Sequence, residues 1–462
     1  MGVKKGQILD VDVDNIAFGG RGLVRIDGLA VFIDGAVPGD RARIRVFKKK
    51  KNYAEARVME LIQASIQRVD PRCRYSGTCG GCKWQFLNYE KQLEYKRRHV
   101  LEAIEHIGLL NNIPVHAAIP SEKIFAYRNK MEFSCSDRRW LLSEELGNKN
   151  IDNGFAVGLH VPGCFDKVLD TQECLIQPEQ GNLILDDVRQ YIRRSNQPVY
   201  GLKSHDGFWR FVMLRYSVAF DQWMVNVVTA SEDLNSIQPL AERLIDKYPH
   251  IVSIMNNITA RKAGVAFGEY EICVSGENHI RERIGPLEFK ISANSFFQTN
   301  TRGAKTLYET VKRQADLDGS QEVVDLYSGT GTIALFLSDS ARRVTGLEIV
   351  SDAVADAERN CRINGVENCR FIDGDIRESI SQIPVRPDVM IIDPPRAGMH
   401  KDVVKKVIDM KPPRIVYVSC NPASLARDLG MMKSDFRVHE VQPVDMFPHT
   451  YHIEAVARLE AI

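Results

Sequence analysis

Nowhere in this chain is there an apolar run of about 18 residues, the length that spans a bilayer, so no membrane-crossing helix is expected. Met1 to Asp10 is polar and lacks the apolar stretch of a secretory signal, so export is not expected either. Charge of one sign is also missing. The 61 Lys and Arg against 60 Asp and Glu leave a net charge of +1, which gives no global attraction to nucleic acid. No internal repeat or low-complexity segment is present, so no repeat architecture is expected. The ten cysteines are too unevenly spread for a disulfide framework, and Cys73, Cys79 and Cys82 form one tight group. What remains is ordinary globular material, 44% apolar and 26% charged, long enough for about two to four domains. The expectation is a cytoplasmic monomer with no membrane partner.

Local patterns say more. Residues 1–64 alternate short β patterns with turns such as Gly19-Gly20-Arg21-Gly22 and Pro38-Gly39-Asp40, which predicts a small barrel. Residues 41–51, on its edge or a loop, carry seven cations and no acid. Lys96-Arg97-Arg98, Arg128-Asn129-Lys130 and Arg138-Arg139 are smaller clusters of the kind that neutralise phosphates. Residues 65–290 form a mixed, strand-rich central domain that starts with the clustered cysteines. Within it, 89–113 predicts a helix packed on the domain that follows, with Leu93, Val100, Ala103, Ile104 and Ile107 at helical spacing. From 291 to 462 the alternation is regular. Strands are expected at 322–326, 343–349, 369–372, 388–392 and 414–419, with helices such as 331–339 and 351–363 between them. That is a doubly wound α/β sheet, ended by a hairpin.

Ligands of such sheets bind at the carboxyl ends of the strands. Val323 to Thr332 is a strand running through a Gly-rich turn into a helix, and Gly329-x-Gly331-x-x-Ala334 satisfies a dinucleotide fingerprint. Nicotinamide dinucleotide and S-adenosylmethionine therefore compete. The other strand ends favour the second, because Asp325, Glu348, Asp375 and Asp393 suit a cationic sulfonium better than a pyrophosphate. Glu348 is placed for ribose hydroxyls, Asp375 for the adenine amino group, and Asp393 for the methionine amino group or a target base.

Cys420 ends the apolar run Val416 to Ser419 and precedes Asn421-Pro422, which puts a thiol at a strand end, placed to attack a ligand. The segment from Asp445 to Glu454 supplies a carboxylate to work with it as general base. If that segment ends as a strand, His452, Glu454 and Val456 share one face and Glu454 points into the pocket.

Five segments, in this order, resemble the RNA uracil-5-methyltransferase family: Ser295 to Asn300, Asp325 to Gly331, Asp393 to Arg396, Ser419 to Pro422 and Asp445 to Thr450. The likeness covers essentially the whole chain, the N-terminal barrel resembling a TRAM domain, an OB-like RNA-binding module. It implies a Rossmann-like class I methyltransferase domain that binds S-adenosylmethionine through Gln298, Tyr327, Glu348, Asp375 and Asp393. Thr332, counted with these cofactor contacts, stands where members commonly carry Asn. The likeness further implies that Cys420 is the nucleophile adding to uracil C6 and Glu454 the base removing the C5 proton. The RNA partner it points to is 23S ribosomal RNA, because the barrel and the cysteines resemble the ribosomal-RNA branch more than the transfer-RNA branch.

Cys73, Cys79 and Cys82 give three thiolates, with Cys135, Cys164 or Cys174 as a fourth, and four thiolates suit either zinc or iron–sulfur. The resemblance points to a 4Fe-4S cluster completed by Cys174, structural or shaping the RNA surface. The Cys-x3-Cys-x2-Cys spacing of radical enzymes is absent. Two alternatives stand beside this reading. One is an amino methyltransferase, whose Asp-Pro-Pro is usually followed by an aromatic residue where this chain has Arg396. The other is a non-catalytic RNA-binding or ribosome-assembly factor that keeps the scaffold.

Overall fold

The computed structural model describes residues 2–148, 150–262, 264–383 and 385–462. Among them, no helix is long and apolar enough to cross a membrane.

The N-terminal strands form one six-stranded sheet in the order Ile8–Asp12, Arg41–Lys49, Tyr53–Gln63, Leu29–Asp34, Arg21–Ile26, Asn15–Ala17. Register shifts between Arg41–Lys49 and Tyr53–Gln63 bend it around a core that includes Val31, Ile33, Ile44 and Val46. Along Arg41–Lys49, Ala42, Ile44 and Val46 point inward while Arg41, Arg43 and Arg45 point out. The basic stretch is therefore largely the outer face of an interior strand, not an edge or a loop. Part of its charge is also spent inside the domain. Arg43 pairs with Asp10 at 2.9 Å and Glu60 at 2.6 Å, and Lys48 pairs with Glu55 at 2.7 Å. Arg41, Arg45, Lys50 and Lys51 stay exposed.

Asn88 caps the helix Tyr89–His106, its side chain accepting from the Glu90 N–H at 2.9 Å. The helix ends well short of 113 because Leu109 (φ +52°) and Asn112 (φ +60°) are left-handed and Pro114 follows. Its Val100, Ala103 and Ile104 share a core with Leu425, Ala426 and Leu429 of the helix Pro422–Met432. Gly108 permits this approach, since a Cβ there would lie 2.9 Å from the Ala426 carbonyl oxygen.

The central domain is a mixed eight-stranded sheet running from Tyr270–Gly276 at one edge, through Ile251–Ile258, Gln222–Thr229, Trp209–Ser217 and Lys130–Ser136, to Ala156–His160 and two short strands. The helices Glu179–Arg194 and Leu234–Lys247 share its core. In the last domain the sheet order is Cys369–Asp373, Arg343–Glu348, Glu322–Leu326, Val389–Ile392, Arg414–Ser419, Glu454–Ala461, Phe436–Val444. The first five are parallel, Glu454–Ala461 runs antiparallel to them, and Phe436–Val444 is antiparallel to Glu454–Ala461. Strand order reverses between Glu322–Leu326 and Val389–Ile392, which opens a crevice at their carboxyl ends.

Candidate active site

The antiparallel ladder pairs Ser419 with Ala455, so one step further out Cys420 stands opposite Glu454. The last strand starts at Glu454, which leaves His452 on the preceding loop rather than on a strand face. Cys420, His452 and Glu454 all line one cavity of about 1930 Å³. That exceeds the roughly 300–1,000 Å³ of a pocket for a single small molecule and leaves room for two ligands.

The floor of this cavity is acidic. Asp325 is buried at the end of the first parallel strand, and neither of its carboxyl oxygens has a hydrogen-bond partner among the described residues. Burial, and then the nearby Asp393, hold the Asp325 carboxyl far above the ordinary carboxylate range. Asp393 is pushed up to about 7 by burial, and Glu454 is raised by burial and then by Asp393. The Cys420 thiol is pushed up to about 11, first by burial and then by Glu454 and Asp393, while Arg396 opposes the shift. Buried acids grouped in this way favour a cation among them.

The cofactor-type loop is preorganised. Glu348 accepts from the Gly329 N–H and from those of Ile349 and Val350, each at 2.9 Å. Tyr327 (φ +65°), Gly329 (φ +54°) and Gly331 (φ +76°) are left-handed, which turns the chain sharply from strand into helix. At Gly331 a Cβ would lie 2.8 Å from the Ala357 Cβ, so the turn tolerates no larger residue without a shift. The Thr332 hydroxyl lies 2.9 Å from that of Tyr308. On the opposite wall, the Gln298 carbonyl accepts from Asn129 at 3.0 Å, and buried Arg215 donates to the Ala293 and Ser295 carbonyls at 3.1 and 2.5 Å. Gln298, Tyr327, Thr332, Glu348 and Asp393 all line the cavity. Asp375 is not among its lining residues. It caps the helix Ile376–Ser379 and is ion-paired with Arg377, which holds it down at about 2.

Lys96 overturns one expectation. Lys96 is fully buried and donates to Asp445 at 2.6 Å and to the Phe447 carbonyl at 3.0 Å, so it is no phosphate contact. Asp445 also accepts from the Tyr89 hydroxyl at 2.9 Å, so it tethers its loop to the helix. The neighbouring cations are engaged too: Arg97 donates to the Val115 carbonyl, Arg98 pairs with Glu102, Arg138 with Asp166 and Arg139 with Glu145. Of the smaller clusters, only Arg128 and Lys130 line the cavity. His449 completes the tether. Its N–H donates to Gln92 at 2.8 Å, and its carbonyl accepts from the Lys83 and Trp84 N–H groups at 2.8 and 2.9 Å. No local signal announces this clasp, because Lys96 and Asp445 lie 349 residues apart.

Cys73, Cys79, Cys82 and Cys174 line the other end of the same cavity. Burial raises all four thiols, and nearby cysteines raise Cys79, Cys82 and Cys174 further. Of the other candidates, Cys135 is buried beside Arg189, and Cys164 lies 3.5 Å from Asp166. Among the described residues, no three Cys, His, Asp or Glu side chains converge on a single-ion site.

Strand order, antiparallel closing strands and an acidic crevice define a Rossmann-like methyltransferase domain, distinct from the all-parallel dinucleotide fold. The comparisons agree. Residues 380–462 match the family model for tRNA (uracil-5-)-methyltransferase, 289–412 that for the methyltransferase small domain, and 2–59 that for the TRAM domain. The chain is 41% identical to an uncharacterized RNA methyltransferase of Chlorobaculum tepidum, over 99% of this chain and 97% of that protein. It is 37% identical to one of Halalkalibacterium halodurans, over 99% and 98%. The crystal structure of Pyrococcus abyssi tRNA (uracil-54, C5)-methyltransferase in complex with S-adenosyl-L-homocysteine superposes with a TM-score of 0.75 at 30% identity, covering 98% of this chain and 100% of that one. The chain belongs to the RNA uracil-5-methyltransferase family.

Proposed function

We propose that the protein transfers the methyl group of S-adenosylmethionine to C5 of a uridine in RNA, with 23S ribosomal RNA as substrate. The observation that carries this reading is Cys420 set opposite Glu454 over a floor of buried acids. As a thiolate, Cys420 adds to C6 of uracil, forming a carbon–sulfur bond and leaving an enolate whose C5 is nucleophilic. C5 takes the methyl group and S-adenosylhomocysteine leaves. The Glu454 carboxylate then removes the C5 proton, the C5–C6 double bond reforms, and the thiolate departs. The acids around Cys420 oppose its ionisation, whereas a sulfonium bound among them offsets their charge and eases loss of the thiol proton to solvent. Gln298, Tyr327, Thr332, Glu348 and Asp393 hold the methyl donor. Asp375 joins them only by releasing Arg377. The target base enters unstacked, since Cys420 needs the ring edge.

Four thiols around one end of a cavity fit a 4Fe-4S cluster, because each thiolate binds a different iron and the four need not converge on one point. Cys73, Cys79, Cys82 and Cys174 would hold it, and it would supply rigidity rather than electrons, since the methyl transfer is not a redox step. Anaerobically purified protein should carry iron and sulfide, and stoichiometric zinc would overturn this assignment.

A transfer-RNA substrate is the second reading. The transfer-RNA enzyme that superposes here matches 98% of this chain, so a chain of this extent does not by itself select ribosomal RNA. Mapping 5-methyluridine in both RNA classes from a deletion strain decides between them. The chemistry is tested with RNA containing 5-fluorouridine, whose fluorine cannot leave as a cation. A denaturation-stable protein–RNA adduct should form with S-adenosylmethionine and vanish in Cys420→Ala. No adduct with the mapped substrate would sink the uracil-C5 reading.

A further inference from the structure

A line of rings leads out of the catalytic cavity toward the barrel. His452 lines the cavity with Cys420, and its ring centroid lies 4.2 Å from that of Tyr451, tilted by 34°. Tyr451 in turn meets Phe18 at 5.5 Å, nearly perpendicular at 83°. Phe18 stands on the barrel turn that follows the strand Asn15–Ala17. That turn lies tight against the catalytic loop. Gly20 is left-handed (φ +82°), and a Cβ on it would sit 3.1 Å from Trp84 Nε1 and 3.2 Å from the Tyr451 ring.

Packing accounts for only part of these rings, Phe18 meeting His99 edge-on at 5.8 Å and Tyr451 lying against the buried cluster that holds Trp84. Trp84 at the same junction is completely buried and donates to the Gly20 carbonyl at 3.2 Å, whereas Phe18 remains 39% exposed. Tyr451 and His452 are also only partly covered. Arg396 stands exposed at the cavity wall close enough to act on His452. Partly exposed rings beside a cation suit single-stranded nucleic acid, because every base has a face to stack and every linkage a negative charge.

We propose that Phe18, Tyr451 and His452 form a stacking shelf for the bases adjoining the target uridine, on the strand that leaves the cavity for the barrel. The proposal rests on the uridine reading above and adds where the neighbouring nucleotides go. Because Phe18 is almost perpendicular to Tyr451, the two rings hold successive bases in different planes and turn the strand toward the barrel.

The test uses the full-length protein, S-adenosylhomocysteine and a short single-stranded RNA in which 2-aminopurine adjoins one 5-fluorouridine. Binding should quench the 2-aminopurine. Phe18→Ala and Tyr451→Ala should each lower affinity by roughly 5- to 150-fold and relieve the quench, and Phe18→Trp should restore both. Parent-like affinity and quench in both alanine variants would overturn the shelf. So would a loss in Phe18→Ala that Phe18→Trp fails to restore, which marks packing rather than stacking. The underlying reading fails separately. With S-adenosylmethionine in place of the homocysteine product, absence of a parent adduct on the mapped RNA sinks uracil chemistry. An adduct together with unaltered binding by the alanine variants sinks only the shelf.

Discussion

Burial raises thiols at both ends of the cavity, to about 11 at Cys420 and Cys82 and about 12 at Cys174, yet the two ends have opposite surroundings. Cys420 faces carboxylates and Arg396. The thiols at the far end face one another. A raised thiol is thus not a role in itself, and the neighbours decide what ionises it. Acids await a cation that relieves them, whereas clustered thiols ionise together on a metal. The two ends are also linked mechanically. Lys83 and Trp84, just after Cys82, bond to His449, and Lys96 anchors the same loop through Asp445.

The sharpest test of the Cys420 end is Glu454→Gln. Loss of the base should slow turnover by about 10²- to 10⁴-fold while Cys420 still adds, so covalent complex should accumulate on ordinary uridine. Slow turnover with no trapped adduct would mean that Glu454 positions rather than deprotonates, which removes the contrast between the ends.

Next in size is the link between them. Lys96→Met leaves Asp445 buried without its cation and should destabilise the protein by about 3–5 kcal/mol in denaturant unfolding. Adding Asp445→Leu should recover most of that stability. A single-variant loss under about 1 kcal/mol would show that the clasp is not a coupled pair.

The smallest effect concerns pH. Burial lifts the Asp393 carboxyl to about 7, above the ordinary carboxylate value, so the ligand-free fold binds this proton more tightly than the unfolded chain. Its contribution is therefore most favourable below the unfolded value near 4 and is lost as pH rises through about 7. A cationic methyl donor reverses the preference by favouring the ionised carboxylate. The Tm gain from S-adenosylmethionine should then be larger near pH 8 than near pH 6, and Asp393→Asn should flatten that difference. An equal gain at both pH values in the parent would remove Asp393 from the donor site.

Much of the catalytic domain was legible beforehand. Strands at 322–326 and 414–419 lie where the apolar runs placed them, because strands buried on both faces read as nearly unbroken Val, Ile and Leu. Tyr327, Glu348 and Asp393 come to the cavity because strand ends define it. The basic clusters were misleading for a physical reason. A run such as Lys96-Arg97-Arg98 shows charge but not burial, and on a helix its members point in different directions: Lys96 inward to Asp445, Arg98 outward to Glu102. Asp375 shows the same limit on a small scale, since Arg377 two residues later takes its carboxylate.

By itself the sequence determined what depends on near neighbours: strand periodicity, the Gly-rich turn, the acids that end strands and the thiol that ends another. Those are local preferences, set within a few residues by sterics and hydrophobic pattern. Only the tertiary structure decided that Cys420 faces Glu454, that Lys96 disappears into a clasp, and that Cys73, Cys79, Cys82 and Cys174 share a cavity with Cys420. Each of these depends on ladder register or on contacts between distant segments, and chain closure, not local propensity, sets them.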